Sequence, residues 1–187
     1  MESRQTRFVA AGVAAVCLIA VLAVPQVRAW GHRALRMVGL EQTQRPLHVG
    51  DRLTSLKLTG LDGKTTWLSN QGHPQIINVF ATWCTECKAE TPALARVAST
   101  LKSKGVQLIG IDQAETGTVV EQFAQSNGLR YPIYLDAGGG VTHTVLGARF
   151  IPTTIVVNGA GLIIFEHIGA LTEADFRKIA SAVRNAG

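Results

Sequence analysis

The segment INVFATWCTECKAETPAL, residues 77–94, places two cysteines between an apolar run and the start of a predicted helix. Cys84 and Cys87 are separated by two residues, and the only other cysteine, Cys17, lies far from them in an apolar N-terminal run. A closely spaced pair of this kind can bind a metal, close a structural disulfide or exchange electrons with another protein. The surrounding sequence helps to separate these three roles.

The rest of the sequence disfavours a zinc site and a structural disulfide. Zinc usually takes about four protein ligands, but no second cysteine pair follows and the five histidines are scattered along the chain. A disulfide that closes so small a loop restricts the unfolded chain little. Redox exchange instead needs a thiol at a helix N-terminus and a second thiol one turn later. A strand that runs into Cys84 at a helix start supplies this arrangement, so the sequence favours a redox pair.

The N-terminal run predicts a membrane segment. No charged residue occurs between Phe8 and Val24, and two arginines precede the run. This pattern is typical of a secretory signal or of a short transmembrane anchor. Trp30 and the basic residues after it favour a retained anchor, whereas small residues near Ala29 would allow cleavage there.

We therefore predict a signal-anchor or signal peptide over residues 1–27, a tether over 28–46 and a folded domain over 47–187. In the favoured case residues 8–24 cross the cytoplasmic membrane once and hold the domain on the extracytoplasmic, periplasmic side. The alternative is a secreted soluble protein that has been cleaved near Ala29.

The charge distribution argues against nucleic-acid binding. The formal net charge is +5, but residues 1–36 hold five arginines and one glutamate, so this part alone contributes +4. The remainder has no basic stripe with interleaved aromatic residues. We expect no nucleic-acid partner.

The order of predicted elements indicates an α/β fold. Alternating apolar and polar residues around Asp62-Gly63 predict a β-hairpin, and the β-branched run before Cys84 predicts a buried strand. Helical spacing from Thr85 to Lys102 predicts a helix that Pro92 should kink. Further strands and helices alternate before a terminal hairpin and an amphipathic helix capped by Thr172. This order predicts a mixed sheet with helices on both faces.

Two motifs carry a resemblance to a known family. NVFATWCTECKAETPAL, residues 78–94, and FIPTTIVVN, residues 150–158, resemble the thioredoxin superfamily, and more narrowly the membrane-anchored thiol:disulfide oxidoreductases of the TlpA/ResA/CcmG type. The resemblance covers about residues 47–187. It implies a thioredoxin fold, with a central mixed sheet flanked by helices and an extra N-terminal β-hairpin.

The resemblance also assigns site residues. Cys84 matches the exposed attacking thiol and Cys87 the buried resolving thiol, so a redox-active Cys84–Cys87 disulfide is expected, with no other cofactor and no metal. Pro152 matches the family's cis-proline, which faces the disulfide and presents the neighbouring backbone at Ile151 to a target chain. Trp83 matches the aromatic residue that shields the pair.

Glu90 is the acidic residue that the family places near the thiols. It lies three residues after Cys87 on the same helical face, and in relatives such a residue is thought to carry protons to the thiols. Asn78 stands at the strand position where cytoplasmic thioredoxins have a buried aspartate. Because an amide does not titrate, Glu90 is the best nearby carboxylate for proton transfer.

The residues between and after the cysteines depart from the common pattern. Thr85 and Glu86 stand between them, where a proline often precedes the second cysteine. The charge of Glu86 should raise the pKa of Cys84 and favour the disulfide, which makes the reduced protein a better electron donor. Lys88 and the helix dipole oppose this effect.

The resemblance implies a reductase of disulfides in target proteins, such as apocytochrome c or copper-site assembly proteins. A membrane electron donor of the CcdA or DsbD type would reduce the pair again. Alternatives are an oxidant or isomerase of the same fold and a Cu(I) chaperone that adds His143 or His167 to the two thiolates. A thiol peroxidase is disfavoured, because the residues before Cys84 lack the usual peroxidatic frame.

Overall fold

The computed structural model describes residues 45–70 and 72–185, which contain both strands and helices. In chain order the elements are β1 Leu56–Gly60, β2 Thr65–Leu68, β3 Gln75–Phe80, α1 Thr85–Ser103, β4 Gln107–Gln113, α2 Gly117–Ser126, β5 Ile133–Asp136, a π-helical turn Val141–Val145, β6 Thr153–Val157, β7 Ile163–Ile168 and α3 Glu173–Asn185. The predicted membrane segment, residues 1–27, lies outside the described residues, as does nearly all of the predicted tether. None of the helices within the described ranges is both long and apolar enough to cross a bilayer.

The seven described strands form one mixed sheet in the order β2-β1-β5-β4-β3-β6-β7. The central strands β5, β4 and β3 are parallel, whereas β6 and β7 extend the sheet antiparallel to them on one side. On the other side β1 pairs antiparallel with β5 and with β2, around the turn that contains Asp62-Gly63. The result is the α/β architecture that the sequence predicts.

All three α-helices pack on one face of the sheet and the π-helical turn packs on the other, so helical segments lie on both faces as predicted. The helices cover the face that carries Ile76 and Phe80. The connections through α1 and α2 step in the same direction across the sheet, and right-handed crossovers then place both helices on the same side. The other face, which carries Ile77, packs against Leu53 and against Leu146 at the end of the π-helical turn.

Helix α1 begins where β3 ends, at the edge of the sheet that also receives the carboxyl ends of β4 and β5. Cys84 is the N-cap residue with extended backbone angles, and its N–H donates to the carbonyl of Ala81 at 3.2 Å. The helix continues through Pro92 as a single element and ends at Ser103, one residue beyond the predicted end. The two cysteines therefore lie at the sheet edge where connections from neighbouring strands meet.

Candidate functional site

Cys84 and Cys87 form a disulfide at the N-terminus of α1, with their Cα atoms 5.2 Å apart. The sulfur of Cys84 accepts a hydrogen bond from the N–H of Cys87 at 3.1 Å. The first N–H groups of a helix lack intrahelical partners, and they carry the positive end of the helix dipole. The same position would stabilise a thiolate on Cys84 once the disulfide is reduced.

The pair is more enclosed than the expected exposed attacking thiol. Cys84 is 7% exposed and Cys87 only 1%, because both pack with Phe80 and Ala81. The order of exposure still leaves Cys84 as the more accessible sulfur. Trp83 next to it is 66% exposed, so its indole forms an open apolar surface beside the pair.

The segment that contains Pro152 lies just before β6, far along the chain from the cysteines, and packs next to the disulfide. The Ile151–Pro152 peptide bond is cis, and the sulfur of Cys84 lies 3.9 Å from the carbonyl oxygen of Ile151. The hydroxyl of Thr153 donates to the carbonyl of Phe150 at 2.6 Å, and the N–H of Gly169 donates to the carbonyl of Pro152 at 2.8 Å. These bonds hold backbone groups of residues 150–153 in place next to Cys84.

Glu90 is buried, with 3% of its surface exposed, and both of its carboxyl oxygens accept hydrogen bonds. One accepts from the side-chain amide of Asn78 at 2.8 Å and the other from the N–H of Leu171 at 2.9 Å. Burial raises the pKa of Glu90, while these two hydrogen bonds and the nearby His167 act to lower it. The net effect is a carboxyl group that stays protonated at higher pH than an exposed glutamate does.

Asn78 ties this carboxyl to the sheet. Its amide also donates to the hydroxyl of Thr154 at 3.2 Å, and Thr154 pairs in register with Asn78 across β3 and β6. Asn78 can be identified from the sequence, whereas the contacts of Thr154 and of the Leu171 N–H cannot. A backbone donor has no sequence signature, and the Thr154 contact depends on strand register.

Thr85, Glu86 and Lys88 all lie on the exposed side of the first turn of α1. Their side chains face solvent, where the field of a charge is screened over about 10 Å at ordinary salt. The proposed influence of Glu86 and Lys88 on Cys84 stays a prediction. The backbone N–H of Lys88 donates to the carbonyl of Cys84 at 3.1 Å and closes the first turn.

A second acidic group, which the sequence did not predict, lies at the same sheet edge. The carboxylate of Glu115, in the connection from β4 to α2, accepts hydrogen bonds from the N–H and the hydroxyl of Thr82. Asp112 at the end of β4 is fully buried and accepts from the N–H of Glu115 at 2.9 Å. The sequence does place these acidic residues at the carboxyl end of a predicted strand. Because the carboxyl ends of parallel strands lie at the same edge of a sheet, this position could have indicated that they lie near Cys84.

The described residues offer little support for a metal centre. Within residues 45–70 and 72–185, no group of three or more His, Cys, Asp or Glu side chains is arranged to hold a metal ion. The alternative of a Cu(I) site formed by the two thiolates and a histidine stays a prediction. The arrangement is suited to thiol and disulfide chemistry.

Comparisons with known proteins agree with this chemistry. Residues 49–165 match the AhpC/TSA family. The thiol-disulfide oxidoreductase ResA of Halalkalibacterium halodurans is 31% identical over 66% of this chain and 70% of its own length. The thiol:disulfide interchange protein DsbE of Yersinia pestis is 30% identical over 67% of this chain and 66% of its own length.

The fold is shared with solved structures as well. The crystal structure of a thiol:disulfide interchange protein of the thioredoxin family from Chlorobium tepidum is 27% identical, with a TM-score of 0.60 over 73% of this chain and 98% of that one. The predicted thioredoxin fold is thereby confirmed. The chain belongs to the AhpC/TSA family of thioredoxin-fold proteins and is a thiol-disulfide oxidoreductase of the ResA and DsbE type.

Proposed function

We propose that Cys84 and Cys87 are the redox pair through which this oxidoreductase reduces disulfides in target proteins. The observation that carries the proposal is the placement of the Cys84 sulfur. It accepts an N–H at the start of α1, is bonded to the buried Cys87 and lies next to the carbonyl of Ile151. A target strand that pairs with this backbone would bring its own disulfide to the more accessible of the two sulfurs.

The reaction begins with both cysteines reduced. The Cys84 thiolate attacks one sulfur of the target disulfide, and the other target sulfur leaves as a thiolate, which gives a mixed disulfide. The Cys87 thiol passes its proton to the Glu90 carboxylate, and the resulting thiolate attacks the Cys84 sulfur. The second target thiolate leaves, so two electrons reach the target and the Cys84–Cys87 disulfide forms.

Glu90 suits the role of proton acceptor for Cys87. It lies one helical turn after Cys87, and burial brings its pKa towards the range in which a carboxyl group exchanges protons efficiently. Asn78 and Leu171 fix both carboxyl oxygens, so that the group keeps one orientation. Glu90 would accept the proton of the Cys87 thiol and later release it to solvent.

The proposal includes a membrane location and a source of electrons. Residues 8–24 would anchor the chain in the cytoplasmic membrane, with the domain on the periplasmic side, and cleavage near Ala29 would instead release it. Outside the cytoplasm the pair needs a membrane electron donor, for which we propose a protein of the CcdA or DsbD type. Apocytochrome c and copper-site assembly proteins are the proposed targets.

Trapping of the mixed disulfide tests the roles of the two cysteines. Full-length Cys87→Ser is reduced, mixed with a disulfide substrate such as insulin and quenched with acid. We expect a covalent adduct that dithiothreitol releases, because the resolving thiol is missing. Cys84→Ser should give no adduct, and Cys17→Ser should behave like the unchanged protein. Equal trapping by Cys84→Ser and Cys87→Ser would contradict the assigned roles.

A further inference from the structure

The turn that leads into Cys84 is held from the side by Glu115. The turn is closed by the bond from the Cys84 N–H to the Ala81 carbonyl at 3.2 Å. In its middle the hydroxyl of Thr82 donates to one carboxyl oxygen of Glu115 at 2.6 Å, and the N–H of Thr82 donates to the other oxygen. Glu115 thus binds both the backbone and the side chain of Thr82, two residues before the attacking Cys84.

Next to Glu115 lies the carboxyl group of Asp112, for which the described residues supply only one hydrogen-bond donor. Asp112 has no exposed surface. One of its oxygens accepts from the N–H of Glu115, and the other has no hydrogen-bond partner among the described residues. A buried carboxylate with an unpaired oxygen is costly, whereas a protonated oxygen could donate a hydrogen bond to the nearby side chain of Glu115.

The charges around Asp112 are negative. Glu115 faces it from the connection after β4, and Asp136 acts on it from the end of β5, while Thr82 brings only neutral donors. No ion pair among the described residues includes Asp112 or Glu115. Burial first, and then the nearby side chains of Glu115 and Asp136, raise the pKa of Asp112 to about 8, so the proton is retained at neutral pH.

We propose that Asp112 and Glu115 share one proton and act as a positioning pair that holds the Thr82–Cys84 turn for attack on the target disulfide. This inference rests on the redox role of Cys84 proposed above. With the proton present, Asp112 donates to Glu115 and leaves the charge of Glu115 free to bind Thr82. When the proton is lost, the buried carboxylate of Asp112 and the partly buried carboxylate of Glu115 repel each other, and the hydrogen bonds that hold the turn weaken.

The shared proton is tested first in the oxidised protein, where the disulfide-bonded cysteines do not titrate. The amide nitrogen and proton shifts of Thr82 are followed by NMR from pH 5 to pH 10. We expect a transition centred near the pKa of Asp112, about 8, and its loss in Asp112→Asn, which keeps a donor towards Glu115 but cannot ionise. A flat profile in the unchanged protein, or the same transition in Asp112→Asn, would overturn the shared proton. This outcome does not depend on the proposed reductase function.

The positioning role is tested by the rate at which reduced protein attacks a small aromatic disulfide. Thr82→Val removes the hydroxyl donor, and Glu115→Gln removes the charged acceptor. Each should slow the attack about tenfold, the scale expected for losing one hydrogen bond to a charged group. Thr82→Ser, which restores the hydroxyl, should recover the rate. Glu121→Gln makes the same charge change at an exposed position on α2 and should leave the rate unchanged.

The thiolate absorbance of Cys84 and the melting temperature are measured on the same variants. Slower attack in a protein that melts normally supports the positioning role. Rates equal to that of the unchanged protein in both Thr82→Val and Glu115→Gln would overturn it. If the unchanged protein reduced no disulfide at all, the proposed function would fail, while the NMR titration would still decide the shared proton.

Discussion

Glu90 is a carboxyl group that the fold buries one turn from Cys87 and fixes through both oxygens. The two donors, Asn78 and the N–H of Leu171, come from β3 and from the chain entering α3. Each favours the charged form, but burial dominates and the pKa is raised. The fold thus keeps a titratable carboxyl group in a buried position one helical turn after Cys87.

We predict that Glu90→Gln slows release of the mixed disulfide by at least about a hundredfold, the lower end of the usual effect of losing a general base. In the unchanged protein the release rate should rise with pH as Glu90 ionises, through a midpoint above the ordinary glutamate value of 4.5. Glu90→Gln should lose this rise. Stopped-flow measurement of target release at several pH values checks both, with Glu121→Gln as the matched control.

The same substitution should change the dependence of stability on pH. The folded pKa of Glu90 lies above its unfolded value, so its contribution to stability is full below about 4.5 and is lost as pH rises through the folded pKa. The unchanged protein should therefore lose stability relative to Glu90→Gln over that range. Denaturant titrations of the oxidised proteins measure the difference. A difference that is independent of pH would contradict a raised pKa for Glu90.

At the scale of the element, the start of α3 matters to the site because Leu171 precedes it. Thr172 and Asp175 form a reciprocal cap: the N–H of Asp175 donates to the Thr172 hydroxyl at 3.3 Å, and the N–H of Thr172 donates to the Asp175 carboxylate at 3.1 Å. This confirms the predicted cap at Thr172. The cap fixes the backbone whose next N–H reaches Glu90.

We predict that Thr172→Ala destabilises the protein by about 1 kcal/mol, the usual cost of losing an N-cap side chain. The matched control is Thr116→Ala, because Thr116 caps α2 without a side-chain hydrogen bond and should cost much less. Thermal unfolding of the oxidised proteins gives the comparison. Equal losses at the two caps would contradict this role of Thr172.

The cap should also make stability sensitive to acid. The hydrogen bonds from Thr172 lower the pKa of Asp175 well below its usual 3.8. Its contribution to stability is therefore present above pH 3.8 and is lost as pH falls through the lowered folded value. Asp175→Asn should unfold with a weaker pH dependence below pH 4, as measured by circular dichroism during acid titration.

The sequence predicts regular elements better than the contacts between them. The buried strand β3 and helix α1 follow from the β-branched run before Cys84 and from the 3.6-residue spacing after it. The cysteine pair and Glu90 lie within that same stretch, so they could be identified from the sequence. The contact between Thr82 and Glu115 was not, because it joins two connections that meet only when β3 and β4 pair in parallel. The side on which α2 packs likewise depends on crossover handedness.

At the scale of the whole molecule, residues 8–24 are expected to hold the chain in the membrane. We predict that the full-length protein stays with membranes after carbonate extraction and that protease added to spheroplasts degrades the domain. Replacing Leu18 with Arg places a charge at the centre of the run, at a cost of about 2.5–3.5 kcal/mol, and should weaken retention. A domain that is protected in intact spheroplasts would contradict the extracytoplasmic location.

The equilibrium reduction potential of the Cys84–Cys87 pair decides whether this protein acts as a reductase. The full-length protein in mild detergent is equilibrated with dithiothreitol or glutathione mixtures, and the fraction of free thiols is read after alkylation. We predict a value near that of thioredoxin, about −270 mV, as suits a reductase that depends on a membrane donor. A value near about −120 mV, that of a strong oxidant, would contradict the direction of electron flow proposed here.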